Sequence, residues 1–589
     1  MESTALPQWN LAALYDGVDD LRYVKLKQHI QETAREFSGV VKDEEFRKER
    51  TADWLERCIE LYNRLGDSFE QLDAFITMWY TTNTTDPQAL AELNALEDLG
   101  LEVQAAEVLF KNGLAAVSEQ LPEVYAAKPE LAEYRYFLEE QLFFQQHQMS
   151  VVEESLAADL MRSGGSAWSR LFQSVSSTAS AEWSGGRKTV TELRGLAFAA
   201  DREVRRTAWQ KELEAVEQVE LPLAAALNGV KGFTVSLNRR RGYASALEKS
   251  VQQARISQTT LDALIGVMEE ALPVFRDYLK GKARLLGLDR LAFYDLFAPV
   301  GGEMSTWTYA AARDFILDYF RSFSSELADF AADAFAQGWI DARPRSGKVG
   351  GAYCISLPVS GETRILCNFS GNFGDVKTIA HELGHAYHHH VLRDAPQVFR
   401  QYPMTLAETA SIFAESVVID GALKGAEAAQ KLPIVEKLLQ DSTQVIVDIL
   451  SRFKFEREVL NRRESGELAP EELKQLMLQA QRETYGDALN EEELHPYMWA
   501  VKPHYYRPEL AFYNFPYAFG HLFGLGLYSR YQQEGQAFLP VYRDLLQQTG
   551  RNSAVEVTAS AGFDIESPEF WRAGIDTIKG RVQEFLALL

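Results

Sequence analysis

A mostly α-helical fold is what this sequence predicts, and three of its features say so. Apolar side chains recur at three- and four-residue steps through most of its length, as between Leu90 and Leu109, which is the signature of amphipathic helices. β-prone runs are scarce, and the main pair lies together between residues 348 and 369. No fixed-period repeat is present, so a solenoid is disfavoured. With 589 residues and 46% hydrophobic content, the chain can fill two or three packed cores and is not a disordered one.

Taken from the amino terminus, residues Met1 to Trp9 hold no basic stretch followed by an apolar one, so no secretory leader is read there. Helical patterns follow until two clusters of loop residues, Arg162 to Ser166 and Ser184 to Lys188, mark a composition shift between 160 and 200. A division into residues 1–190 and 191–589 is the expectation. Further on, Tyr353-Cys354-Ile355-Ser356-Leu357 and Arg364-Ile365-Leu366 flank a loop containing Gly361 and read as a hairpin. Asn372 and Asp375 then offer N-cap side chains for a helix running through His381. The late apolar stretch is broken by Pro516, His521 and several glycines, and no run of the roughly 18 uncharged apolar residues that a membrane helix needs occurs elsewhere. Neither a membrane nor a nucleic acid is an expected partner, since 60 Lys plus Arg against 84 Asp plus Glu gives a net charge of -24. Three dispersed cysteines, Cys58, Cys354 and Cys367, argue against a disulfide framework and for a reducing, cytoplasmic location.

The chemistry concentrates at His381-Glu382-Leu383-Gly384-His385. Two histidines four apart project from one helical face and can share one tetrahedral metal ion of the zinc type. Glu382, beside the first of them, is placed to take a proton from a metal-activated water. A catalytic zinc takes three protein ligands, and the third is sought in Leu406 to Glu415, where Glu408 and Glu415 lie seven apart among apolar residues. Glu408 is assigned as ligand and Glu415 as the group that orients a ligand histidine, with the exchange of these two roles left open by the spacing. His388 reads as part of a polar helix end, and His389 and His390 as surface, because consecutive helical side chains diverge by about 100°.

A second concentration is the aromatic run from His495 to His521, where tyrosines and histidines interleave. Such a wall can donate hydrogen bonds to a carbonyl oxygen that gains negative charge, and His504, on a turn next to Pro503, is its leading candidate.

These residues, in order, resemble the M3 family of zinc metallopeptidases, in its oligoendopeptidase F branch. The resemblance spans nearly the whole chain: Trp9-Asn10-Leu11, Arg241-Gly242-Tyr243, Gly350-Gly351-Ala352-Tyr353, Asp375 to His385, Glu408-Thr409-Ala410-Ser411, His504-Tyr505-Tyr506, Phe512-Tyr513, and Gly562-Phe563-Asp564. It implies an elongated helical metallopeptidase with a deep central channel and a small β-sheet next to the active-site helix. It implies an amino-terminal helical domain over 1–190, a catalytic domain over 191–589, and one zinc ion per chain held by His381, His385 and Glu408. By the same resemblance Glu382, His504 and Tyr513 are catalytic, and Tyr506, Tyr517, Gly351 and Ala352 bind substrate, an oligopeptide cut at an internal bond. The weighed alternatives are exopeptidase cleavage from the same zinc site and a zinc-stabilised peptide-binding protein without turnover. If the acidic charge lines the channel, cationic peptides are expected to be cleaved faster at low salt.

Overall fold

The computed structural model of the chain describes residues 6–301 and 306–589. The start of the Met1 to Trp9 stretch read above therefore lies outside the described residues. Helices make up 74% of the structure and the sheets are small, which is the predicted class. Two compact units form, and they do not divide at residue 190. The first gathers Met1–Gln146, Met304–Ala422 and Arg530–Gly562; the second gathers His147–Glu303, Leu423–Ser529 and Phe563–Leu589. Both units gather stretches that lie far apart in sequence, and a local composition shift carries no information about such pairings.

In the first unit, the helices Leu21–Lys42, Thr51–Thr82 and Pro87–Ala115 pack on one another. Phe37, Trp54 and Phe110 are fully buried where they meet. Their starts are set locally: Asp20 accepts a hydrogen bond from the Arg22 amide, and Asp86 accepts from Gln88 and Ala89, with Pro87 at the first helical position. Each such cap contributes about 1 kcal/mol.

The predicted hairpin is present. Tyr353–Leu357 runs antiparallel to Glu362–Leu366 with Cys354 opposite Ile365, and Ile340–Asp341 pairs parallel to the other side of Glu362–Leu366. Tyr353–Leu357 is consequently an edge strand. The helix Phe373–Leu392 packs across both hairpin strands. Its start is a capping box: the Asn372 side chain accepts from the Asp375 amide, and the Asp375 carboxylate returns to the Asn372 amide at 3.2 Å. The same carboxylate also accepts from the amides of Ser370 and Gly371, so the entry into the helix is fixed by one side chain.

In the second unit, Gln258–Leu285 packs on Pro568–Ala587 and Glu220–Arg240 on Gly165–Thr178. Buried ion pairs occur between these helices and their neighbours: the fully buried Lys282 ammonium donates to Glu436 at 2.6 Å and to the Leu296 carbonyl at 2.9 Å. One feature was not legible as structure. The cluster at Ser184 to Lys188 is a two-residue turn joining Ser180–Trp183 to Gly186–Thr189, with φ of 47° at Ser184 and 82° at Gly185. Positive φ at both central positions is the twist a tight hairpin needs, but short exposed strands carry little alternation to reveal them.

Candidate metal centre

The helix Phe373–Leu392 carries His381 and His385 on one face of the first unit, with ring centroids 4.9 Å apart. Glu408 meets them from the next segment. Its Oε2 lies 3.3 Å from His381 Nε2 and 3.4 Å from His385 Nε2, and the three donor atoms fall within 4.8 Å of one another. Glu408 reaches this position because it stands at a break, between the short helix Met404–Ala407 and the helix Thr409–Gly425. Glu408 and Glu415, seven apart in sequence, both turn towards His381 and meet different nitrogens of its ring. Glu415 lies about two turns further on and takes the other nitrogen of His381, Nδ1, at 3.2 Å. Lys377, one turn before His381 on its own helix, pairs with the second Glu415 oxygen at 3.2 Å.

The arrangement orients the imidazole. Glu415 holds Nδ1 of His381, which leaves Nε2, facing Glu408, as the nitrogen that a metal ion would take in exchange for its proton. Ser411 donates to Glu408 Oε2 at 2.6 Å and holds that carboxylate against the imidazoles. The donor set of two imidazoles and one carboxylate, without sulfur, suits zinc or a similar dication with room for a further ligand. Charge agrees with the geometry. Burial opposes a charged Glu408, yet the two imidazoles that hydrogen-bond to it hold its carboxyl well below the usual range. Burial likewise opposes a charged His381, and Glu408 and Glu415 outweigh it, pushing that imidazole up to about 10. The cluster therefore gathers positive charge, and the residues fit a metal ion.

Glu382 is buried, with 6% of its surface exposed, and its Oε2 has no hydrogen-bond partner among the described residues. Burial pushes its carboxyl up, against the pull of the neighbouring histidines. An unsatisfied buried carboxylate oxygen costs about 1–3 kcal/mol, and such an atom beside a ligand cluster is poised to take a proton.

The three histidines after the motif differ from expectation. His388 is fully buried; its Nε2 meets Thr549 Oγ1 at 2.9 Å and its ring stacks on Tyr402 at 4.2 Å. Burial drives its pKa well below the ordinary value, so it is a neutral core histidine rather than a polar helix end. His389 is half-buried against Cys354, 3.8 Å from its sulfur, and His390 is half-buried against Phe330, so neither is simply surface. On the hairpin, Gly351 is exposed with φ of 80° and its carbonyl accepts from Asn368 Nδ2 at 3.2 Å, and Ala352 precedes the edge strand.

In the second unit, His504 lies in the short turn Pro503–Tyr506, and Tyr513 and Tyr517 flank the start of the helix Phe515–Glu534. The His504 and Tyr513 rings are 6.2 Å apart and those of Tyr513 and Tyr517 5.3 Å apart, and all three line one cavity of about 260 Å³. Burial, then the charges of Arg452, Lys502 and Lys231, push His504 down to about 3, so it is a neutral hydrogen-bonding group. Tyr506 does not join them. It is fully buried, stacked on Phe172 at 3.8 Å, and its hydroxyl has no partner, so the expected substrate contact has no path through this side chain. Arg452 shares the His504 cavity and was not singled out from sequence, because nothing local distinguishes it from other helical arginines.

A helical scaffold bearing a His-Glu-x-x-His helix and a downstream glutamate defines a metallopeptidase. The comparisons with known proteins agree: the model of peptidase family M3 matches residues 196–307 and 321–577, and that of oligopeptidase F matches residues 114–179. The chain belongs to peptidase family M3, in its oligopeptidase F branch. Oligopeptidase PepF of Bacillus subtilis is 25% identical over 81% of this chain and 72% of its own. Group B oligopeptidase PepB of Streptococcus agalactiae is 24% identical over 98% of this chain and 96% of its own. The crystal structure of oligoendopeptidase-F from Enterococcus faecium shares the fold, with a TM-score of 0.66 and 20% identity over 96% of this chain and 99% of that one. The protein is thus a metallopeptidase of peptides. No helix among the described residues is long and apolar enough to cross a membrane.

Proposed function

We propose that the protein is a zinc-dependent endopeptidase that hydrolyses internal bonds of short oligopeptides in the cytoplasm. The observation that carries this reading is the convergence of His381, His385 and Glu408 beside the buried, unpartnered Oε2 of Glu382. His381 and His385 through Nε2, with Glu408 through its carboxylate, would hold one zinc ion. That ion, when bound, supplies Lewis acidity that activates a water and polarises the scissile carbonyl. Glu382 Oε2 is placed to take a proton from the attacking water and would return it to the leaving amine, a role its raised pKa supports because such a carboxylate both takes and returns a proton. Glu415 holds His381 through Nδ1 so that its other nitrogen would be the one presented to the metal, and Lys377 steadies Glu415. The edge strand Tyr353–Leu357, with Gly351 and Ala352 before it, offers backbone groups to which an extended peptide can add as a further strand. His504, Tyr513 and Tyr517 provide side-chain donors suited to peptide carbonyls, each well-placed donor contributing about 3 kcal/mol when the accepting oxygen gains charge.

The test is an internally quenched peptide of about ten residues, blocked at both termini because only an endopeptidase cuts such a substrate. Internal cleavage that vanishes with a chelator and returns with zinc supports the reading. Stoichiometric zinc binding with no cleavage of the blocked peptide, but release of terminal residues from the unblocked one, replaces it with an exopeptidase.

A further inference from the structure

The cavity that holds His504 has a second wall that the catalytic reading leaves without a role. Its lining residues Gln444, Val445, Ile449 and Arg452 come from the π-helical turn Gln444–Asp448 and the first turn of the helix Ile449–Arg463. Such a turn widens the helix locally and costs hydrogen-bond quality, and it occurs often where a side chain must be aimed into a site. Arg452 forms an ion pair with Asp448, one turn earlier, through one end of its guanidinium. The Nε of Arg452 is buried without a partner, and so is Nε2 of His504 on the facing wall. The Arg452 and His504 side chains line one cavity of about 260 Å³, and each carries a buried polar atom without a partner among the described residues, a cost of about 1–3 kcal/mol apiece that a small shift of the side chain onto a polar ligand recovers. A guanidinium N–H can only donate, so that ligand must accept hydrogen bonds.

The local charge gives its sign. Arg452, Lys502 and Arg194 face Asp448 and Glu212 in this part of the unit. Arg452 is paired with Asp448, and Arg194 donates to Glu212 at 2.6 Å. Lys502 has no hydrogen bond or ion pair among the described residues; burial first, then the crowding by Arg452, pushes its ammonium down to about 7. In a chain of net charge -24, Lys502 is thus the one unpaired cation of these five groups whenever it is protonated.

We propose that this cavity is a carboxylate-recognition subsite for the peptide substrate, in which Arg452 is the specificity-determining residue and Lys502 supplies the charge. The substrate identity rests on the peptidase reading above. Two peptide groups have this chemistry, the carboxy-terminal carboxylate and an Asp or Glu side chain, and a guanidinium fork binds either one in two-point fashion, which a lysine does not reproduce. The inference opposes the order expected from net charge, which favours cationic peptides.

Four quenched peptides of one sequence separate the possibilities: free acid and amide at the carboxy terminus, each with Glu or Gln at one internal position. At low salt the protein should prefer the carboxylate-bearing member of the relevant pair by about 10-fold in kcat/KM, expressed mainly in KM, as a charge-assisted hydrogen bond predicts. The pair that responds identifies the source. Arg452→Gln should reduce the ratio to below about 2-fold, and Arg452→Lys should restore only part of it. Equal kcat/KM for all four peptides with the unaltered protein overturns the proposal, as does full retention of the preference in folded Arg452→Gln. Should that variant fail to fold, Asp448→Asn/Arg452→Gln retires the buried pair together, which such sites tolerate better, and the same ratios decide. If no peptide is cleaved, the peptidase reading fails by itself; anisotropy of the same four peptides, fluorophore-labelled, then reads the pocket alone. A retained order of affinities supports it and equal affinities refute it.

Discussion

Gly384 is the point at which the metal helix touches its neighbour, and Gly384→Ala turns that contact into a measurement. In an exposed helix interior the substitution stabilises by about 1 kcal/mol, because alanine loses less backbone entropy. Here a Cβ would stand 2.5 Å from the Ala410 carbonyl oxygen and 2.6 Å from the Ser411 Cα. Both are backbone atoms, so no rotamer change relieves the overlap, and the Thr409–Gly425 helix must retreat by about 1 Å, an overpacking that costs roughly 1–3 kcal/mol. The net expectation is a loss of about 0–2 kcal/mol, against a gain of about 1 kcal/mol without the clash. The retreat also carries Ser411, whose hydroxyl holds Glu408, away from His381 and His385. Metal bonds tolerate only about 0.2 Å, so zinc affinity should fall by roughly 10-fold or more. Gly39, in the helix Leu21–Lys42 with nothing within 4 Å of its would-be Cβ, is the control: Gly39→Ala gains the propensity without the clash. Thermal melts of both variants, apo and zinc-loaded, with chelator competition for the metal, separate the effects. If Gly384→Ala matches Gly39→Ala in stability and binds zinc as tightly as the parent, the close approach of these helices is wrong.

Glu382→Gln should keep zinc and lose turnover by about 100-fold or more, since a general base is removed while the ligands stay; more than a tenth of parental kcat with metal bound would remove Glu382 from that role. Glu415→Ala should weaken zinc by roughly 10–100-fold in chelator competition, because His381 loses the acceptor that orients it. Tyr506→Phe should leave kcat/KM unchanged and stability unchanged or higher by about 1 kcal/mol, its hydroxyl being buried without a partner, and a tenfold loss of kcat/KM would return it to the substrate site. Burial opposes a charged Glu212, but His495 and Arg194 hold it at about 2 against an ordinary value of 4.5. A depressed carboxylate stabilises the fold fully above pH 4.5 and loses that contribution as pH falls from there towards 2, up to about 3 kcal/mol, so Glu212→Gln should flatten the acid limb of a stability–pH curve; an unaltered limb counts against the pairing.

What the sequence determined by itself is whatever depends on neighbours within one or two turns. The helical class follows from three- and four-residue periodicity. The Asn372–Asp375 cap, the hairpin at 353–366 and the shared face of His381 and His385 are short-range geometry written into adjacent residues. Tertiary structure decided the rest, because the deciding partners lie far apart in the chain. Glu408 and Glu415 look equivalent at a spacing of seven; the helix break at Glu408 sends one to Nε2 of His381 and the other to Nδ1. His388 is a core residue because Thr549, 161 positions away, meets it, and Tyr506 is removed from the cavity of His504 by Phe172. Arg452 gained its place only when the π-turn at Gln444–Asp448 aimed it at that cavity. Burial and charge pairing are properties of packed neighbours, and a linear pattern specifies which residues can make them but not which of them meet.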